Sequence, residues 1–564
     1  MYSVSRNVLA AGAAMALALL AGCGGGGSGS SGSASGGLVS ITPSPTPAAA
    51  GTAMDDGVRL AQQASFGPTP ALVDRIHSLG VSGWLDEQFA ATGSTYGDLA
   101  SDVRGDSCAA TDSACTTLHF TRTPVAMRFY ADAISAPDQL RQRVAFALSQ
   151  MIVASEAAVR STAGIAGFNQ LFLTYAFGNY RDLLLAVTMN GYMGDYLDMA
   201  DSRKGTPSEN YAREFLQLFS MGPDQLAMDG TPQRDTSGGT LPNYTADDIR
   251  EVARALTGWT YARVGSAAIT DNQAIAYAQP MVMVAARYDS AEKKFLGTTV
   301  AAGASQQASV AAVIDAAFNH SSTPPFVARH LITHLVTPNP SPAYIGRVAA
   351  VFVNNGSGVR GDLKAVVRAI LTDAEARAPQ ASSGGKLKEP VLAMTSLARA
   401  IGFTTDGYVF QARDATIAEP VMRAPSVFNF YPDDFPLPGS ATLRSPASKL
   451  LTSATVLRLH NLVYDWTVSG DAGRSEYAAV AAIPGSSGSA PVWADWEAFG
   501  DNVDSMVDRI NLLLFAKGLT QAQRDALKAA AMEISNVDPK LQARKRAQMM
   551  LYIAATSPMF LVDR

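Results

Sequence analysis

Cysteine is nearly absent from this chain of 564 residues: there are three, Cys23, Cys108 and Cys115. Three cysteines exclude a disulfide-dense scaffold, and too few stand together to hold a zinc ion by themselves. Histidine is scarce as well, with six. Charged residues make up 16%, and acids exceed bases by 49 to 44 for a net charge of −5. A nucleic-acid binder carries a basic excess on one face, so nucleic acid is not expected as a partner. The one basic cluster, Lys540, Arg544, Lys545 and Arg546, reads as a solvated helix face. No G-x-S-x-G nucleophile elbow occurs, and no glycine-rich phosphate loop follows a strand. Ser290 with Lys293, and Ser383 with Lys386, form S-x-x-K pairs. That spacing is common by chance, and neither pair has the supporting motifs of a serine–lysine enzyme. No cofactor is indicated by motif.

What is present begins with an address. Arg6 gives a positive start, Val8 to Leu20 is apolar, and Leu20-Ala21-Gly22-Cys23 follows. A spanning helix needs about 20 apolar residues, and this run is shorter. Its order of charge, apolar run and small residues before a cysteine is that of a bacterial lipoprotein signal over residues 1–22. Cys23 is then the lipidated residue, and several acyl chains on it suffice for anchoring. Gly24 rather than Asp after the cysteine points to the outer membrane. The segment 23–52 is rich in Gly, Ser, Ala, Thr and Pro and carries no charge. It cannot bury enough apolar surface to offset chain entropy. It is a tether, with a mean span on the order of 30 Å.

Residues 53–564 form the body, predicted to be one large, mainly α domain with a few short strands and long loops. In an oxidising compartment Cys108 and Cys115, seven apart in a polar loop, are expected to pair, the alternative being two free thiols. Such a small loop contributes about 2–3 kcal/mol. Helix starts recur. Thr69-Pro70 opens one that runs to Gly80. Thr206-Pro207-Ser208-Glu209 reads as a capping box before a helix to Met221, stopped by Gly222-Pro223. Thr245 to Asp248 opens another, ending near Gly258. Ser341-Pro342, Ser445-Pro446 and Thr520 with Gln523 give three more. Leu140 to Ser155 has its apolar residues at helical spacing. Strands are expected at Met281–Ala286 and Phe560–Val562. The connection 222–243 is long for a compact domain. Its aspartates do not fit a calcium-loop spacing.

The helix pair around that connection carries a resemblance. Asn210-Tyr211-Ala212-Arg213-Glu214-Phe215-Leu216-Gln217-Leu218-Phe219 with Gly222, and Ala253-Arg254-Ala255-Leu256-Thr257-Gly258-Trp259, resemble the most distinctive motifs of the bacterial domain-of-unknown-function family 1800. So do Ala64 to Thr69, Leu140 to Gln150, Lys386-Leu387-Lys388-Glu389-Pro390 and Ser426 to Phe430. The resemblance spans nearly the whole body. It implies an exported protein, and it implies a partner resembling the alkaline-phosphatase and sulfatase superfamily, whose genes commonly lie beside those of this family. One position departs from the pattern. Tyr288 stands where the family tends to have a histidine ahead of Asp289, Lys293 and Leu296-Gly297.

Chemistry is then sought on the two helices. Tyr211, Phe215, Leu218 and Phe219 form an apolar stripe facing the core. Asn210, Glu214 and Gln217 share another face, with Arg213 beside them. On the second helix Ile249, Val252, Ala253 and Leu256 are apolar, while Asp247, Glu251 and Arg254 are polar. Antiparallel packing would bring Arg213, Glu214, Glu251 and Arg254 together. Glu214 and Asp289 are the candidate acid–base groups, and Asn210, Arg213, Gln217, Glu251, Arg254, Trp259 and Lys293 the candidate binding residues. The same charges also make sense as ion pairs fixing helix register. Trp259 reads as a core residue, or else a stacking surface. His330 and His334 lie four apart on one helix face, with His320 ten residues earlier. The stretch between them lacks the glutamate of a metalloprotease helix, and no metal is assigned. Two functions remain: an envelope binding or scaffold lipoprotein, which is preferred, and an envelope hydrolase acting on a polymer or anionic group through the carboxylate and arginine residues.

Overall fold

The computed structural model describes residues 53–101, 107–264, 274–379, 384–469 and 473–564. The signal segment, Cys23, the tether and Ser383 lie outside the described residues. Among those described the architecture is mainly α: 55% of these residues are helical, and they include 23 α-helices. Their strands are limited to four short antiparallel pairs. No described helix is long and apolar enough to cross a membrane. Cys108 and Cys115 form the expected disulfide, with Cα atoms 5.8 Å apart.

Local chemistry explains most helix starts. Thr69 accepts from the Leu72 amide ahead of Pro70–Ala90. That helix breaks at Gly80, whose φ of 69° only glycine adopts easily, and then resumes for three more turns. Thr245 and Asp248 close a reciprocal capping box on Ala246–Ala255, and Thr520 and Gln523 do the same on Gln521–Met532. Ser341 caps Pro342–Val353. Ser445-Pro446 opens only a 3-10 turn, Pro446–Leu450.

The capping box at Thr206 does not form. Residues 206–209 stay outside the helix, which begins at Asn210, and Glu209 pairs with Arg213 instead of capping. The helix Asn210–Glu214 then widens into a π-helix, Phe215–Ser220, with Gly222 N bonded to Leu216 O. The wider turn rotates the apolar stripe, so Leu216 is fully buried and Leu218 only partly. Glu214 goes inward with that stripe, while Asn210 stays exposed. The three polar residues therefore differ in exposure, with Asn210 exposed, Gln217 half-buried and Glu214 buried. The connection 222–243 is an ordered arm of paired extended backbone, bridged at Asp224–Pro242 and Arg234–Thr240. The Asn243 amide closes its base on the carbonyls of Met221, Gly222 and Asp224.

The two expected strands shrink to Val282–Met283, paired with Trp259–Thr260, and Val562–Asp563, paired with Lys386–Leu387. The basic cluster is not wholly solvated. Arg546 is buried and pairs with Asp501, and Arg544 pairs with Glu497. Two large apolar clusters make the core. One surrounds Phe168, Tyr180, Phe215 and Tyr344, the other Phe129, Phe410, Trp466 and Trp496. Helix Gln139–Met151 belongs to both, Val144 and Leu148 to the first and Phe146 to the second. A smaller cluster around Phe430, Tyr431 and Ala447 packs beside them.

Candidate functional site

The charges sought on the helix pair resolve into two separate groups. Arg254 has all three nitrogens engaged. Nε donates to Asp289 Oδ2 at 2.8 Å, Nη1 to both Glu251 oxygens at 2.7 and 2.8 Å, and Nη2 to the Glu292 carbonyl at 3.3 Å. Burial pushes the Asp289 carboxyl up, but the Arg254 bond and the Ala291 amide outweigh it and hold it below the usual range. Glu251 Oε2 also accepts the Lys294 amide, and Asp248 Oδ1 the Leu296 amide. The constellation is a clamp that fastens the hairpin Lys293–Val300 to the helix. Arg254→Ala is expected to cost about 1–2 kcal/mol in urea unfolding, since the pairs are partly solvated. It should also speed hydrogen exchange at the Lys294 amide. Unchanged exchange there would mean the arginine holds nothing.

Glu214 makes no bond to that clamp. It is 8% exposed, its Oε2 has no hydrogen-bond partner, and burial raises its carboxyl above the usual range against the pull of Arg213. Arg213 itself is exposed and paired with Glu209 at 3.2 Å. Asn210 donates to Asp198 at 3.0 Å, and Gln217 is half-buried. So Arg213, Glu214, Glu251 and Arg254 do not converge. Trp259 is a core residue, 5% exposed, in a two-residue strand. Tyr288 is 8% exposed. Its hydroxyl meets Ser309 Oγ at 2.5 Å and the Ala304 carbonyl at 3.0 Å. Lys293 is buried against its ring, 4.7 Å from the centroid, and donates to the Ala291 carbonyl at 3.0 Å. This lysine is held by its own turn rather than by Ser290.

A second group lies where the apolar clusters meet, and three of the quoted motifs build it. Helix Gln139–Met151 brings Arg143 and Gln150. The strand Lys386–Leu387 and the residues after it bring Lys386, Lys388 and Glu389. The loop after Ser426 brings Asn429 and Tyr431. Glu389 is 2% exposed and accepts from Gln150 Nε2 at 3.1 Å and from the Tyr431 hydroxyl. Gln150 in turn accepts from Asn429 at 2.6 Å. Lys388 donates to the Phe560 carbonyl at 2.6 Å and pairs with Asp563 at 2.7 Å. Arg143 is wholly buried. Its Nη2 donates to the His334 carbonyl at 2.6 Å, while Nε and Nη1 have no hydrogen-bond partner. Burial lowers Lys386 to about 8. Burial also presses Glu389 upward, yet Lys386, Arg143 and Tyr431 hold it ionised and low. Glu419 beside it is driven well above its ordinary value by burial and by the charge of Glu389. Two small cavities flank this nest. One of about 50 Å³ borders Gln150 and Asn429, and one of about 20 Å³ borders His334, Lys386, Glu389 and Tyr431. The smaller has room for about one water.

A family described as "Protein of unknown function (DUF1800)" matches residues 59–562. The chain belongs to the DUF1800 family. No curated protein and no solved structure matches it.

In this DUF1800 chain the histidine pair borders the nest. His330 Nδ1 lies 2.6 Å from Asp433 Oδ2 and His334 Nε2 2.9 Å from Asp433 Oδ1, while His330 Nε2 faces the Ala147 carbonyl at 2.9 Å. Burial works to lower both histidines. At His330 the Asp433 carboxylate wins and the ring sits above its usual range, whereas at His334 burial and the neighbouring His330 keep it below. His320 takes no part, since its Nδ1 accepts from the Ser322 amide. The motifs that hold Arg143, Gln150, Lys386, Lys388, Glu389 and Asn429 are visible in the sequence, but nothing there marks them as one site, and nothing there points to Asp433. The available signal was a run of charged and amide residues inside otherwise apolar motifs.

Proposed function

We propose that this protein is an exported lipoprotein, anchored through Cys23 at the outer membrane, that acts by binding or scaffolding together with an envelope partner of the phosphatase and sulfatase kind. The signal-like order of residues 1–23 supports the anchor. One observation carries the binding reading: the Arg254 guanidinium is fully engaged by Glu251, Asp289 and the Glu292 carbonyl, so these charges fasten a hairpin rather than wait for a substrate. A clamp of this kind stiffens the surface around it, and a stiff surface binds with less ordering cost. A specific observation favours the second reading, a hydrolase. Glu214 has an unpartnered buried oxygen and a raised carboxyl, as a general acid would.

One experiment separates them. The full-length chain is expressed in its own envelope as wild type, Cys23→Ser and Glu214→Gln, then fractionated and captured with its bound proteins. Wild type and Glu214→Gln are expected in the membrane fraction with the same partner, and Cys23→Ser in the soluble fraction. A partner lost in Glu214→Gln alone would move that carboxylate into the working site. Membrane retention of Cys23→Ser would overturn the anchor.

A further inference from the structure

Helix Thr323–Leu335 presents His330 and His334 one turn apart, both buried, with ring centroids 4.3 Å from each other. Asp433, about a hundred residues later, reaches both rings with one carboxylate oxygen each. One ligand atom from each of the three residues can be chosen so that all lie within 4.8 Å. The bond on the far side of His330 decides what this cluster needs. Its Nε2 faces the Ala147 carbonyl at 2.9 Å. A carbonyl only accepts, so Nε2 carries a proton. In a neutral ring Nδ1 is then a lone pair aimed at a carboxylate 2.6 Å away. Two lone pairs at that distance repel, so the two atoms must share a cation. It is either a second proton on the line between them, or a metal ion that binds both once they spread to about 3 Å.

We propose that His330, His334 and Asp433 form a binding site for a divalent transition-metal ion of the zinc class, with solvent completing the coordination. Two imidazoles and a carboxylate are a donor set that suits zinc and its neighbours. The groups behind the ligands are also in place. The Ala147 carbonyl fixes the tautomer and orientation of His330, as outer partners of metal-bound histidines do. The Tyr431 ring stacks parallel to His334, and Arg143 holds the His334 backbone carbonyl. Both histidines are closed off, while the Asp433 side chain is 33% exposed. The open side of the site therefore faces solvent through the carboxylate, which leaves a position for water.

The test uses the full-length chain stripped with a chelator and titrated with Co2+ by visible absorption, then with Zn2+ by calorimetry. One equivalent of Co2+ should give saturable d–d bands that Zn2+ abolishes. Asp433→Asn, a substitution of equal size at a partly exposed position, should weaken Zn2+ binding at least about 30-fold, given that even outer-partner changes cost 10–100-fold. His460→Gln should leave it unchanged. No saturable band in the wild type would overturn the proposal in favour of a proton-bridged His330–Asp433 ion pair, and so would equal affinity in Asp433→Asn. If circular dichroism shows that variant unfolded, imidazole 15N signals of the wild type decide. Zn2+ should shift those of His330 and His334 and not that of His460, and any other pattern counts against the site.

Discussion

Replacing Arg122 with methionine should cost about 3–5 kcal/mol, a large share of the stability of a protein this size. Arg122 and Asp414 are both interior and meet through two parallel bonds of 2.7 Å. The arginine also donates to the Val421 carbonyl at 3.2 Å, so it ties helix Thr123–Ser135 to the segment after Tyr408–Asp414. Without it, Asp414 keeps only the Tyr130 hydroxyl and the Val421 amide. Burial already pushes the Asp414 carboxyl above its ordinary value, against the pull of Arg122. That direction fixes the pH dependence. An acid whose folded value is raised is harmless to the fold when protonated. Its cost begins above the unfolded value near 3.9 and grows as pH rises towards the folded one. Removing Arg122 raises the folded value further. The deficit of Arg122→Met against wild type should therefore be small near pH 4 and full at pH 8. Urea melts at both values test this. A deficit equal at both would mean that lost packing, not an uncompensated carboxylate, is responsible.

Helix starts were legible because each rests on chemistry within four residues. Thr69, Thr245, Ser341 and Thr520 cap their helices through bonds to amides three positions on. The failures come from contacts a local pattern does not contain. The Thr206 box competes with a turn in which Thr206 bridges to Arg203, and the helix waits until Asn210. The π-helix at Phe215–Ser220 follows from core packing. Once one turn is wider, a 3.6-residue count misplaces the residues within and after it, such as Leu216 and Leu218. The buried nest was hidden for a related reason. Lys386-Leu387-Lys388-Glu389 reads as surface by composition, and only its pairing with the chain end at Val562–Asp563 takes it inside. The i, i+4 spacing of His330 and His334 was visible, but Asp433 lies in a loop whose position is set by tertiary structure alone.

The nest itself makes a claim about charge. Glu389 and Glu419 adjoin each other inside the protein, with Lys386 and Arg143 as the neighbouring cations. Burial and the charge of Glu389 drive Glu419 upward while Lys386 and Arg143 hold Glu389 low, so the proton is expected on Glu419 and the negative charge on Glu389. Glu389→Gln should then be milder than its burial suggests. With the neighbouring charge gone, Glu419 can release its proton and become the anion that Arg143 and Lys386 require. Glu419→Gln should be milder still, because it removes a group that is already neutral. The double variant removes both carboxyls and leaves Asp563 as the remaining anion for the buried Arg143 and the half-buried Lys386. The shortfall costs about 5 kcal/mol. Against singles of about 1–2 kcal/mol each, the excess in a double-mutant cycle should be about 1–3 kcal/mol. Equilibrium urea unfolding of the four chains measures it. Additive singles would show that each carboxyl acts alone. A positive excess would show that the three motifs meeting here hold one shared charge, which explains why so many ionisable groups can be interior at once.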